Sequence, residues 1–226
     1  MSVLHHEELD RALRAQPIRD RLVVTPLLDQ TQIGPASIDL RLGTHFLEVR
    51  KLERAVLDPA SDQSAIAGLR EDPVVVPVGG HLWLHPGHFV LGSTLEYVQM
   101  PPHLVGQVLG RSSWARLGLI VATAVLVQPG WGGVLTLELS NIGDVPLRVY
   151  PGERVTQLMV WQLGERTEHP YDKGAKYVAP IGPEESRLGL EAGDRARLAR
   201  IGERLRGSPA SVADSESTRS DAGRSV

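Results

Sequence analysis

The chain has 226 residues, a formal net charge of −3 at pH 7 and no cysteine. Near-balanced charge gives no whole-chain attraction to nucleic acid or an anionic membrane, so any anion site must be local. Lack of cysteine excludes disulfides, thiol nucleophiles and cysteine-ligated zinc, and the length allows one large or two small domains around a sizeable apolar core.

The first residues, MSVLHHEELDRALRAQ, carry early acids and lack the apolar core and small-residue cleavage site of a signal peptide. No run approaches the roughly eighteen apolar residues needed to span a bilayer. The expectation is a soluble, cytoplasmic protein.

Residues 3–15 set Leu4, Ala12 and Leu13 among charged residues at helical spacing, and Pro17 ends the segment, which predicts a short amphipathic helix within an N-terminal element of residues 1–20. From residue 21 the texture changes to short Val-, Leu-, Ile- and Thr-rich runs punctuated by Gly and Pro: VVVPVGG, LWLHPGHFVLGSTL, LVGQVLG, VLTLELSN and RVTQLMVWQL. Such regular runs predict an antiparallel, all-β sandwich or barrel domain over 21–190. PGWGG (129–133) predicts a tight turn that folds the ATAVLVQ strand back beside VLTLELSN as a hairpin. The polar, Gly- and Pro-containing segment 164–190 reads as a mobile flap. Helix-forming composition over 191–206 gives way to a Ser-, Asp- and Arg-rich tail, 207–226, expected to be disordered.

Two features carry chemistry. In GRSSWARLG, Arg111 and Arg116 flank Ser112 and Ser113, and forked guanidinium groups with hydroxyl donors suit phosphate oxygens, although an isolated RSS tripeptide is more often a solvated turn or short helix with ordinary surface arginines. In VLTLELSN, alternation puts Leu135, Leu137 and Leu139 on one face and Val134, Thr136 and Glu138 on the other. Glu138 can face solvent there; facing a pocket, it is raised by desolvation toward general-base chemistry. His5, His6, His81, His85 and His88 form no recognised ligand pattern, and no metal site is expected among the protein's own residues.

GRSSWARLGL, the PGW turn, TLELSN and PGERVTQL resemble the successive motifs of the dCTP deaminase family, within the trimeric dUTPase superfamily. ASIDLRLG (36–43), LHPGHFVLGSTLEYVQMP (84–101), AKY (175–177) and SRL (186–188) fit the same family in the same order. The resemblance implies a distorted β-barrel of jelly-roll character and a homotrimer with active sites between subunits. It implies the hydrolytic deamination of dCTP to dUTP and ammonia, an attack on a cyclic amidine C–N bond.

By the same resemblance, Arg111, Ser112, Ser113 and Arg116 hold the triphosphate, with Ser112 and Arg116 bordering the reacting base. Glu138 activates water for attack on C4. The Ala124 backbone orients water and cytosine, the Thr136 and Leu137 backbone reads the base edge, Gln157 lies near the phosphates, and Tyr171 and Lys176 close over the ligand. Magnesium arrives on the triphosphate, and no zinc takes part.

Three positions depart from the family pattern. Gln128 stands where the family has an aspartate facing the sugar 3′-hydroxyl; its amide can hydrogen-bond a hydroxyl but cannot serve as a base, which disfavours triphosphate hydrolysis there. LGLIVATA is one residue short and lacks the family's histidine, and such a change reverses side-chain facing unless a bulge absorbs it. Pro180 replaces a glutamine and brings no donor to the flap. The alternatives to a deaminase are a non-catalytic nucleotide-binding protein of the same fold, and a dUTP diphosphatase or bifunctional enzyme.

Overall fold

The computed structural model describes residues 2–49, 56, 73–122, 126–171, 176–177, 179–187 and 192–207. The chain divides into two compact units, Met1–Arg187 and Leu188–Val226. The second holds one described helix, Ala192–Gly207, on the segment with helix-forming composition; residues 208–226 of the expected tail lie outside the described residues.

Among the described residues the strands of the first unit all pair antiparallel, as the punctuated apolar runs predicted, in distorted sheets that form no closed barrel. One sheet runs β1 (Ser2–Val3), β13 (Arg154–Gln162), β8 (Leu104–Gly110), β10 (Leu126–Val127), with β3 (Ile38–Arg41) also paired to β13. The second runs β5 (Val74–Val75), β4 (His45–Glu48), β7 (Phe89–Gln99), β11 (Gly132–Asn141), β9 (Leu119–Val121), with β2 (Val23–Thr25) also paired to β7. A ribbon of β6 (Leu82–Leu84) and β12 (Leu147–Val149) stands beside them.

The period-2 pattern of β11 is realised in full: Leu135, Leu137 and Leu139 are buried while the residues between them are half-buried. Each such leucine contributes about 1.5–3 kcal/mol when removed from water. Helix α1, His6–Arg14, begins where the His5 N–H donates to Glu8 Oε2 at 3.1 Å and seats a fully buried Leu9. Ala12 and Leu13 pack against the core, as the helical spacing predicted.

The expected hairpin does not form. After the Pro129–Gly130 turn the chain changes sheets: Leu126 and Val127 pair with Gln107 and Gly106 of β8, whereas β11 takes β7 on one edge and β9 on the other. At the start of the predicted segment the Ala122 N–H donates to the Glu138 carbonyl at 2.8 Å, and its residues 123–125 lie outside the described residues. A turn fixes the direction of the chain but not which strand the preceding residues find.

The β7–β11 ladder slips between Val134 and Thr136, which pair with Tyr97 and Ser93, so β7 carries extra residues at this point. Thr94 fills the gap by accepting from Leu135 N–H at 2.9 Å. Glu96, also in the slip, turns inward; it is fully buried and accepts from Arg41 N–H at 2.8 Å and Gln32 Nε2 at 3.0 Å.

Candidate active site

A cavity of about 460 Å³ lies over the half-buried face of β11. Thr136 and Glu138 line it from that strand, Glu48 from β4, and Gln128, Trp131 and Tyr171 from the turn and the segment beyond β13. The alternation that buries the leucines therefore aims Glu138 into a recess, and its Oε2 is buried. Gln128 stands at the rim with its side chain exposed.

The polar segment predicted as a flap runs across this cavity. Its Tyr171 N–H donates to the Pro129 carbonyl at 2.7 Å, and the Tyr177 carbonyl accepts from Trp131 Nε1 at 2.9 Å. Further on, Val134 N–H donates to the Pro180 carbonyl at 2.9 Å and Glu184 N–H donates to Thr136 Oγ1 at 3.1 Å. Tyr171 also ties the segment to itself, its hydroxyl accepting from Tyr177 N–H at 3.0 Å. Ala179 takes a left-handed φ of 50° to make the bend, a conformation costly for any residue with a β-carbon.

Other expected site residues lie elsewhere. Arg111 caps the four-residue helix α2, Ser112–Ala115, whose serines are exposed, as is Arg116. None of Arg111, Ser112, Ser113 and Arg116 is among the described residues lining the Glu138 cavity. Arg111 Nε instead lies 3.6 Å from Asp39 Oδ1, and Nη1 donates to the Arg154 carbonyl at 3.3 Å. Asp39 and Asp29 both hold Arg154, at 3.4 and 2.8 Å. The Thr31 hydroxyl first, and then Arg154, keep the Asp29 carboxyl below its usual range.

Leu137 is fully buried, its side chain in the core and its backbone opposite Gly92, so its side chain does not reach the cavity. Gln157 lies on β13, where Oε1 accepts from Ser37 Oγ at 3.1 Å. The Lys176 carbonyl accepts from Arg187, but Lys176 is not among the described lining residues. Ala124 lies outside the described residues. Sequence reasoning missed Glu48, Trp131, Glu184 and Glu185 as cavity residues. The tryptophan carried a signal in principle, as a large aromatic inside a turn motif; the acids carried none.

A family model described as dCTP deaminase-like matches residues 3–163. The chain belongs to the dCTP deaminase-like family. A relative named dCTP deaminase, dUMP-forming, from Dictyoglomus thermophilum is 44% identical over 186 residues, covering 80% of this chain and 94% of that protein. One named dCTP deaminase from Natronomonas pharaonis is 42% identical over 190 residues, covering 82% and 95%. The solved 2′-deoxycytidine 5′-triphosphate deaminase from Agrobacterium tumefaciens shares the fold, with a TM-score of 0.53 at 24% identity over 70% of this chain. The chain spans about half of that structure's length, 47%. Within the dCTP deaminase-like match fall Glu138, α2, Gln128 and Gln157; Tyr171, Lys176 and the rest of the polar segment after residue 163, a strap across the cavity, lie beyond it.

Proposed function

We propose that the chain is a dCTP deaminase, converting dCTP and water to dUTP and ammonia. The observation that carries this reading is Glu138: a carboxylate with a buried oxygen, aimed by strand alternation into a closed-over cavity in a chain of this family. As water adds to C4 of cytosine, Glu138 takes its proton and delivers it to the 4-amino nitrogen; the C4–N bond then breaks and ammonia leaves.

The charge of the cavity supports a homotrimer with shared sites. Glu48, Glu138, Glu184 and Glu185 line it, and no Lys, Arg or His is among the described lining residues. Such a wall repels a triphosphate. In the proposed assembly the base enters this cavity while Arg111, Ser112, Ser113 and Arg116 of a neighbouring copy hold the phosphates, Ser112 and Arg116 next to the reacting ring. Exposed Leu117 and Leu126, 61% and 52% accessible, supply apolar surface for that contact.

Magnesium carried on the triphosphate would neutralise part of its charge. Among the described residues no group of three or more His, Cys, Asp or Glu could hold a metal, and a phosphate-borne magnesium needs few protein ligands. Among them also, no helix is long and apolar enough to cross a membrane, and an enzyme acting on free deoxynucleotides would work in the cytoplasm.

The relatives are named both as deaminases and as dUMP-forming deaminases at similar identity, so identity does not choose between products. Gln128 favours dUTP, because an amide cannot activate the water that would cleave the triphosphate. The deciding experiment is ammonia release from dCTP with magnesium: Glu138→Gln should lower kcat by roughly 10²- to 10⁴-fold while dCTP still binds. Wild-type protein that binds dCTP and releases no ammonia would instead be a nucleotide-binding protein of this fold.

A further inference from the structure

Glu184 meets the cavity from the strap. Its backbone N–H is held on Thr136 Oγ1, two residues along β11 from Glu138 and on the same face, and its side chain lines the same recess. The two carboxylate oxygens are unlike. Oε1 accepts from Arg187 Nη2 at 2.8 Å, whereas Oε2 is buried and makes no hydrogen bond.

A buried carboxylate oxygen without a donor is costly, and a ligand that brings an N–H to it recovers that cost. Pro180, which also lines the recess, brings neither a backbone nor a side-chain donor to it. The wall facing the strap sets Leu91, Val134 and Trp131 beside Thr136 and Glu138. The recess therefore presents a buried acceptor without a donor on the same side as Glu138.

Resting on the deaminase reading, we propose that Glu184 is a specificity-determining residue that accepts a hydrogen bond from the 4-amino group of the cytosine ring. Uracil places a carbonyl oxygen at that position, and two acceptors facing each other at a buried atom repel. Glu184 thus favours substrate over product and helps the uracil nucleotide leave. Glu138 transfers the proton; Glu184 recognises the group that will depart.

The test is the ratio of the inhibition constant of dUTP to the KM of dCTP in wild type, Glu184→Gln and Glu184→Ala. The amide can turn its NH₂ toward a carbonyl, so Glu184→Gln should lower the ratio about tenfold, chiefly by tightening dUTP. Arg187→Ala, which removes the ion pair but keeps the carboxylate, should weaken both nucleotides together and leave the ratio in place. A purely structural role predicts that same parallel weakening in the Glu184 variants, and an unchanged ratio in both overturns the assignment. Should wild type release no ammonia, the ratio is read from dissociation constants of dCTP and dUTP, so loss of the deaminase reading and loss of this one are separate results.

Discussion

Pro180 rests directly on Gly133: a β-carbon on the glycine would lie 2.4 Å from Pro180 Cδ and 2.7 Å from Cγ. With the Val134 N–H donating to the Pro180 carbonyl beside this contact, the missing side chain lets the strap lie flat along the start of β11. The proline that takes away a family glutamine is thus a packing element, closing the cavity by shape.

Gly133→Ala should lift the strap. No closer packing is available against a proline ring and its backbone nitrogen, so the expected loss is about 1–3 kcal/mol of strap docking. Limited proteolysis within 164–187 should become faster and the KM for dCTP should rise; unchanged cleavage would show that the strap does not depend on this contact.

Arg116→Ala should weaken dCTP binding about tenfold or more, as expected for loss of a charge-assisted bond to phosphate. A sharper check uses two defective proteins. Mixed after dissociation and reassociation, Arg116→Ala and Glu138→Gln subunits should regain part of the ammonia-releasing activity, since some interfaces then pair an intact α2 with an intact Glu138. Absence of recovery in confirmed mixed trimers counts against the shared site.

Gln128 predicts the product. Chromatography of a dCTP reaction should give dUTP with no dUMP or pyrophosphate, and stoichiometric pyrophosphate would overturn the assignment of Gln128 as the residue that blocks hydrolysis.

Glu96 predicts a pH dependence of stability. Burial pushes its carboxyl up from the ordinary 4.5, outweighing the hydrogen bonds from Arg41 and Gln32. The folded state therefore keeps the proton to higher pH than the unfolded chain, so the stabilisation is full below 4.5 and is lost as pH rises through the folded value. Relative to Glu96→Gln, wild type should lose denaturant resistance as pH rises from 4.5 and then level off. A difference between the two proteins that is flat from pH ~4 to ~8 would refute the shift.

The periodic elements were determined by sequence alone. VLTLELSN could only bury three leucines by turning Thr136 and Glu138 the other way, because side chains alternate along a strand, and α1 was legible from apolar residues at helical spacing. The ordered motifs likewise marked Arg111, Ser112, Ser113 and Arg116 as one group. Tertiary structure decided what each of these faces: it sent Leu126 and Val127 to β8 instead of β11, left α2 off the wall of the Glu138 cavity, and drew Glu48 and Glu184 onto it. Those outcomes rest on contacts between residues far apart in the chain, such as Pro180 on Gly133 and Glu184 on Thr136. A local pattern records which way a side chain points, whereas its partner is chosen by the packing of the whole unit.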